Sequence, residues 1–325
     1  MLIEHQHPHN KSIMAALLGK PNAGKSSLIN NLLGFDLTIV SHKPQTTRNH
    51  FQCAFTIDRT EVVLVDTPGI HKSNLELNKR MVGQASFGSE GADLNLILLD
   101  LSSDPIQDLK EVMSSIEGEM NETWVVLTKV DLKKKSEDDI KNIQVKIQEM
   151  YPDIKKFFVI SSKDQTNIHL LTAALCDRAP NAPHLYPNGD VSNKNMRFFV
   201  AEYIREQAFN LLNEELPYEI AVVIDEFKDV SPEDEDSQHD KNLAYISASI
   251  LVNRPSQRGI VVGSGGSLIK RIGTDARKKI EAMMGGKVHL NLHVKVSPKW
   301  FKNNFVLEEI GLPRVKDSAR VWRKK

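Results

Sequence analysis

The stretch "SIMAALLGKPNAGKSSLINNLL", Ser12 to Leu33, decides the fold. Its opening "SIMAALLG" is an apolar run without helical period and reads as a buried strand, whereas "KSSLINNLL" carries a helical pattern. Between them lies "GKPNAGKS": Gly19, Lys20, Pro21, Asn22, Ala23, Gly24, Lys25 and Ser26. It matches G-x-x-x-x-G-K-[ST] in the strand–loop–helix setting that gives the match its meaning. Glycines let backbone N–H groups approach phosphates, a lysine reaches the outer ones, and a serine hydroxyl suits magnesium. A bare surface turn is the bland alternative, and the register of strand, loop and helix argues against it.

Working outward, strand and helix alternate through residue 178. "EVVLVDT", "LNLILLDL", "TWVVLTKV" and "KFFVISS" read as further buried parallel strands, and "FQCAFTI" alternates as an edge strand does. Helical patterns sit at "LNKRMVGQASF", "PIQDLKEVMSSI", "EDDIKNIQVKIQEM" and "NIHLLTAALCDR". The expectation is an α/β domain over 1–178, a six-stranded, mostly parallel sheet with helices on both faces. "APNAPHLYPNGDVSNKN", 179–195, has Pro, Gly and Asn in place of apolar period and reads as a linker.

Beyond it the order changes. "RFFVAEYIREQAFNLL" is helical, "EIAVVIDEF" and "LAYISASILVN" are strand-like, and the acidic "DVSPEDEDSQHDK" reads as a surface loop. A short turn, the glycine-rich "GSGG" and a basic amphipathic helix follow. "KVHLNLHVKV" then alternates strictly, with His289 and His293 at exposed strand positions. This gives a smaller α+β domain over 196–303 and a basic tail over 304–325.

Composition narrows the function classes. The 325 residues suit two domains, and 42 basic residues balance 42 acidic ones. The distribution is uneven: Asp225 to Asp240 holds eight acidic residues and one lysine, Arg254 to Lys325 seventeen basic and five acidic. A basic end fits a polyanion partner, and solvated charged faces fit as well. Only Cys53 and Cys176 are present, without metal-ligand spacing, as expected of a reducing, cytoplasmic compartment. There is no signal-peptide pattern, and no segment approaches a membrane span. His5, His7 and His9 have no acidic or Cys partner nearby and read as a solvated start.

Three more short motifs follow strands. "VDTPG" brings Asp66, Thr67, Pro68 and Gly69, followed by Ile70. Asp66 at a strand end can hold magnesium through water, and the Gly69 N–H can reach a terminal phosphate. "TKVD", Thr128, Lys129, Val130 and Asp131, and "SSK", Ser161, Ser162 and Lys163, end the last two strands, where open parallel sheets bind ligands.

Four such elements in this order resemble the translation-factor-related GTPases. The resemblance implies GTP or GDP as ligand, with Asp131 accepting hydrogen bonds from guanine, Lys129 packing along the base, and Ser162 and Lys163 lining its other side. Thr128 stands where asparagine is commoner. In "HKPQTTRNHF" the resemblance implies that Thr47, rather than Thr46, closes onto magnesium with Ser26 and Asp66 when the third phosphate is bound. "IHKSNLELNK", Ile70 to Lys79, corresponds to the second switch segment. Ile70 occupies the place of a water-orienting glutamine, so slow intrinsic hydrolysis is expected. Asn22 resembles the asparagine by which some of these GTPases recruit potassium.

In the second half, the order of elements resembles a K-homology fold of the second type, whose G-x-x-G loop between two helices is Gly263, Ser264, Gly265 and Gly266 here. Such loops clamp about four nucleotides of single-stranded RNA, and Lys270 and Arg271 follow as electrostatic support. Together with "KPQTTR", "DTPGIHK" and "VKVSPKW", the arrangement resembles the Era family from about Ile13 to Leu312. That resemblance implies a monomeric GTPase that binds the 3′ end of small-subunit ribosomal RNA during assembly of the small ribosomal subunit. It also implies partial association with the inner face of the cell membrane. A constitutive RNA-binding scaffold that barely turns GTP over is the alternative. Trp300 reads either as core or as a base-stacking residue.

Overall fold

The computed structural model describes residues 7–40, 43, 48–69, 91–116, 121–154, 156–186, 189–230 and 242–312. Thr46, Thr47, Ile70 to Lys79, the helical pattern at 77–87, the acidic loop at 231–241 and residues 313–325 lie outside these. Two compact units divide at Lys194/Asn195.

In the first unit the described elements are β1 (Lys11–Leu18), α1 (Lys25–Leu33), β2 (Phe51–Ile57), β3 (Thr60–Asp66), β4 (Leu94–Asp100), α2 (Pro105–Met113), β5 (Glu122–Thr128), α3 (Glu137–Met150), β6 (Lys156–Val159) and α4 (Ile168–Arg178). The six strands lie in the order β2-β3-β1-β4-β5-β6. Every pairing is parallel except β2 with β3, so the alternating "FQCAFTI" is the antiparallel edge. The apolar runs are central because both faces are covered: Leu94 to Leu99 and Trp124 to Leu127 are all buried. On one side Leu109 and Val112 of α2 and Ile140, Ile143 and Ile147 of α3 close over Ile97, Leu99, Val125 and Leu127. The spacing of the three isoleucines is one helical stripe. A capping box at Ser136 and Asp139 starts α3, and Asp104 with Pro105 starts α2.

Residues 179–194 belong to the first unit and do not run free of it. Ser12 N donates to Pro180 O, Ala182 N to Asn10 O, Ala54 N to Val191 O and Asn193 N to Gln52 O. The last two bonds cover the outer edge of β2, which would otherwise be open to strand pairing. Buried Glu61 accepts Leu185 N at 2.7 Å, Tyr186 N at 3.0 Å and Ser12 Oγ at 3.0 Å. Composition marks the loss of period here, but it carries no sign of long-range bonds.

The second unit runs α5 (Met196–Leu211), β7 (Ala221–Asp229), β8 (Asn242–Val252), α6 (Pro255–Val262), α7 (Ser267–Met284), β9 (Lys287–Val296) and α8 (Asn304–Glu309). Its sheet is β7-β8-β9, antiparallel then parallel. The residue pattern before the glycine loop reads as a short turn; it is the helix α6, the first of the two helices that the K-homology resemblance implied. Its eight residues are too few to show a period, and their start rests on Gln257 Oε1 accepting Asn253 N and Arg254 N at 2.8 and 3.0 Å, with Pro255 first in the helix. Trp300 is core: it is 1% exposed and its Nε1 donates to Glu219 O at 2.8 Å. The expected tail is folded at its beginning, since Val306, Leu307 and Leu312 are buried.

Replacing Glu61 by Ala leaves two backbone donors and a hydroxyl without their acceptor. Chemical denaturation of this variant should show a loss of about 2–4 kcal/mol, with proteolytic nicking near 185 appearing first. A change below about 0.5 kcal/mol would contradict this role.

Candidate nucleotide site and glycine-loop module

All four short motifs begin where a parallel strand ends: Gly19 after β1, Thr67 after β3, Lys129 after β5 and Ser161 after β6. The strand order reverses around β1, with β3 on one side and β4 on the other, which is where open sheets form a ligand crevice.

The loop before α1 is held tightly. Gly19 has φ +150°, and a Cβ there would stand 2.6 Å from Leu98 O, inside the backbone of β4. Lys25, the first residue of α1, is buried, and its Nζ donates to Gly19 O at 2.9 Å and Lys20 O at 3.0 Å. The ammonium is thus folded into the loop that its backbone forms. Burial lowers its pKa from 10.5 to about 8, opposed by the nearby Asp66 carboxylate. Lys20 is fastened outside by α2, with Nζ 2.8 Å from Asp108 and 2.7 Å from Glu111. Asp66 is fully buried at the end of β3. Gly69 abuts the loop so closely that a Cβ would lie 2.6 Å from Pro21 N. Ser26 and Asp66 supply a hydroxyl and a carboxylate, oxygen donors that fit a magnesium ion.

The strand-end motifs are joined to this loop. Thr128 Oγ1 donates to Ala23 O at 2.8 Å and lies 3.2 Å from Leu99 O, so the threonine ties β5 to the phosphate loop. Lys129 adopts φ +61°, and its Nζ meets Asp100 Oδ2 at 2.6 Å. Asp131 accepts Ser161 Oγ at 2.9 Å, and Asn31 Nδ2 of α1 donates to Ser162 O at 3.0 Å. Lys163 and Asn22 are exposed, and Val130 is half-buried.

The sequence reading passed over two features. Asp100, at the end of the apolar run of β4, anchors Lys129 and accepts Ser102 N at 2.7 Å. Asn30 Oδ1 accepts Leu37 N at 3.0 Å and Thr38 N at 2.8 Å, and Nδ2 donates to Thr38 O at 2.9 Å. Thr38 Oγ1 donates to Ser26 O at 2.9 Å. The chain leaving α1 is therefore pinned to it up to Thr38. Paired asparagines in a helix were the one available signal.

In the second unit, Gly263 to Gly266 lies between α6 and α7, as a G-x-x-G loop requires. Gly263 has φ +74° and no room for a side chain, since a Cβ would stand 2.7 Å from Leu268 Cβ. Gly265 and Gly266 also have positive φ, at +56° and +78°, but face open space. Lys270 and Arg271 are exposed on α7. Lys279 is turned inward to Glu206 of α5 at 2.8 Å, so it supports packing and not the loop.

Residues 14–129 match the family described as 50S ribosome-binding GTPase, and residues 215–301 match the KH domain. GTPase Era of Thermotoga maritima is 37% identical over 303 residues, covering 93% of this chain and 97% of its own. The chain belongs to the Era GTPase family. Era of Clostridium botulinum is 36% identical over 319 residues, covering 94% and 99%. Among solved structures, Era in complex with MgGDPNP and nucleotides 1506–1542 of 16S ribosomal RNA shares 30% identity and a TM-score of 0.84, covering 94% of this chain and all of that one. A point variant of Aquifex aeolicus Era bound to GDP.AlF4- gives 29% and 0.85, with the same coverage. The chain is thus a GTPase. Among the described residues, no helix is long and apolar enough to cross a membrane.

Because burial depresses Lys25, the unfolded chain holds more protons than the folded one between about 8 and 10.5. This group alone makes the free protein gain stability as pH rises through that window. A bound phosphate favours the charged ammonium, so nucleotide binding near pH 8.5 should take up a fraction of a proton. Calorimetry in two buffers of different ionisation enthalpy reads it; identical heats in both would contradict the assignment. Gly69→Ala should lower nucleotide affinity or hydrolysis about tenfold or more through its clash with Pro21, read by fluorescent-nucleotide titration and phosphate release.

Proposed function

We propose that this GTPase holds the 3′ end of small-subunit ribosomal RNA on its second unit and acts as a nucleotide-controlled factor in assembly of the small ribosomal subunit. The observation that carries this reading is the joining of phosphate loop and base motifs through Thr128 and Asp131, in one chain with a G-x-x-G loop set between two helices. The complex of related Era with 16S RNA nucleotides 1506–1542 supports it.

In the proposed mechanism Asp131 selects guanine by accepting its two N–H donors, and Lys129, held by Asp100, lies along the base. Backbone N–H groups of Asn22 to Ser26 receive the phosphates, and Lys25 neutralises charge that develops on the oxygens. Ser26, Asp66 and Thr47 hold magnesium, which when bound stabilises charge on the outer phosphates. Gly69 N–H meets the terminal phosphate. Thr67, Pro68 and Ile70 flank that contact, and Ile70 offers no group to orient water, so intrinsic turnover is slow. Loss of the terminal phosphate releases Thr47 and switches the protein. Asn22 recruits potassium to the same charge. The protein works as a cytoplasmic monomer with peripheral contact at the inner membrane face.

A fragment of the ribosomal RNA 3′ end should raise GTP hydrolysis at least about tenfold, and more in potassium than in sodium. No stimulation together with nucleotide-independent RNA binding would favour the constitutive scaffold. Equal rates in the two salts, RNA present, would remove the role of Asn22. Lys25→Ala should abolish nucleotide binding while RNA affinity measured without nucleotide stays unchanged; an equal loss of both would overturn the division of labour.

A further inference from the structure

Among the described residues of the second unit, part of one side of the sheet is exposed, and the strand register shows what that part presents. Tyr245 of β8 stands opposite His289 of β9 and Lys228 of β7. The next row across is Glu226, Ser247 and Asn291, and His293 lies one step further along β9. His289, Asn291 and His293 are exposed, whereas Leu290 and Leu292 between them are half-buried and the flanking Val288 and Val294 are buried. Tyr245 is 38% exposed, and its ring centroid is 5.4 Å from that of His289 at a tilt of 45°. Lys287 is exposed beside the pair. The far end of this side is closed: Ser249 is fully buried, and Lys295 is held by Asp225 at 2.8 Å. The open part is therefore a patch of rings, an amide and a hydroxyl on β8 and β9, with lysines at its border.

We infer that this patch is a second RNA surface, on which unpaired bases next to those held by the G-x-x-G loop stack on Tyr245 and His289. The inference rests on the RNA-binding reading given above. Flat π faces with donors and acceptors beside them suit unpaired bases of any sequence. A protein-docking face needs an apolar centre, and here the one large apolar side chain in the patch, Leu243, lies at its end. The route is short, because β9 is the edge strand of the sheet. Its inner side packs on α7, where Leu292 Cδ1 would meet a Cβ at Gly273 at 3.3 Å. An RNA strand that leaves the groove flanked by α7 and β9 turns about a single strand to reach the patch. Glu226 on β7 is an exposed acid in the Ser247 row, which confines the stacking surface to the β8–β9 half.

The test compares two single-stranded RNAs on the full chain: about four nucleotides, the length one G-x-x-G groove holds, and about twelve from the ribosomal RNA 3′ end, enough to extend beyond it. Tyr245→Ala combined with His289→Ala should weaken the longer RNA about tenfold and leave the shorter one unchanged. Tyr245→Phe alone should retain the wild-type affinity, since the ring persists. Gly265→Asp, which puts a negative charge on the loop, should weaken both lengths. If the alanine pair binds the longer RNA as the wild type does while Gly265→Asp abolishes binding, the patch is refuted and the groove stands. An equal loss on both lengths from the alanine pair would also refute it, as a structural effect. Absence of RNA binding by the wild type would overturn both readings.

Discussion

A buried ammonium organises the first unit. Lys25 has left water, and among the described residues the carbonyls of Gly19 and Lys20 and the field of Asp66 compensate at close range. Those carbonyls point inward only if the loop closes on itself, and closure brings Gly19 against the Leu98 carbonyl, where no side chain fits. The closed loop, the buried charge and the glycine at its start are thus one solution to a single problem. The surrounding bonds are consistent with that priority: Lys20 is fastened to α2, Ala23 to Thr128, and Ser26 to Thr38.

The same bonds give Thr128 a role that substitution by type alone does not show. A threonine in place of asparagine removes an amide and supplies a hydroxyl, which donates to Ala23 O. The bond joins the strand end that carries Lys129 and Asp131 to the loop that carries Lys25. Lys129 and Asp131 are therefore braced against the loop by a buried side chain.

Much of this was legible in the residues, and what was not has a physical reason. Buried parallel strands declare themselves through unbroken apolar runs such as Leu96 to Leu99, and the edge strand through alternation in Phe51 to Ile57. The glycine-lysine-serine loop is readable because its chemistry depends on backbone geometry that few residues allow. Helix α6 was hidden because eight residues around Gly259 cannot show a period, and its start signal lay in the side chain of Gln257. Connections between distant residues were hidden too: Glu61 with 185–186, Asn30 with 37–38, and Asp100 with Lys129 involve partners whose proximity exists only after folding. Thr47 and Ile70 stay at the level of sequence, because they lie outside the described residues.

The two units handle polyanions by different means. In the first, charge is buried and aimed, and the backbone donors around it are rigid; specificity follows from the cost of placing anything else there. In the second, the loop is bare: Ser264 and Gly265 are exposed, with no charge of their own. The cations of α7 are partly engaged, Lys279 with Glu206, and Arg271 and Lys278 with Asp275. On the proposed RNA-binding reading, affinity at this unit draws on close backbone approach and contacts with bases beside the exposed cations of α7. A small module whose loop carries no charge gains by extending its contact area, and on that reading the aromatic side of the sheet lies one strand from the groove.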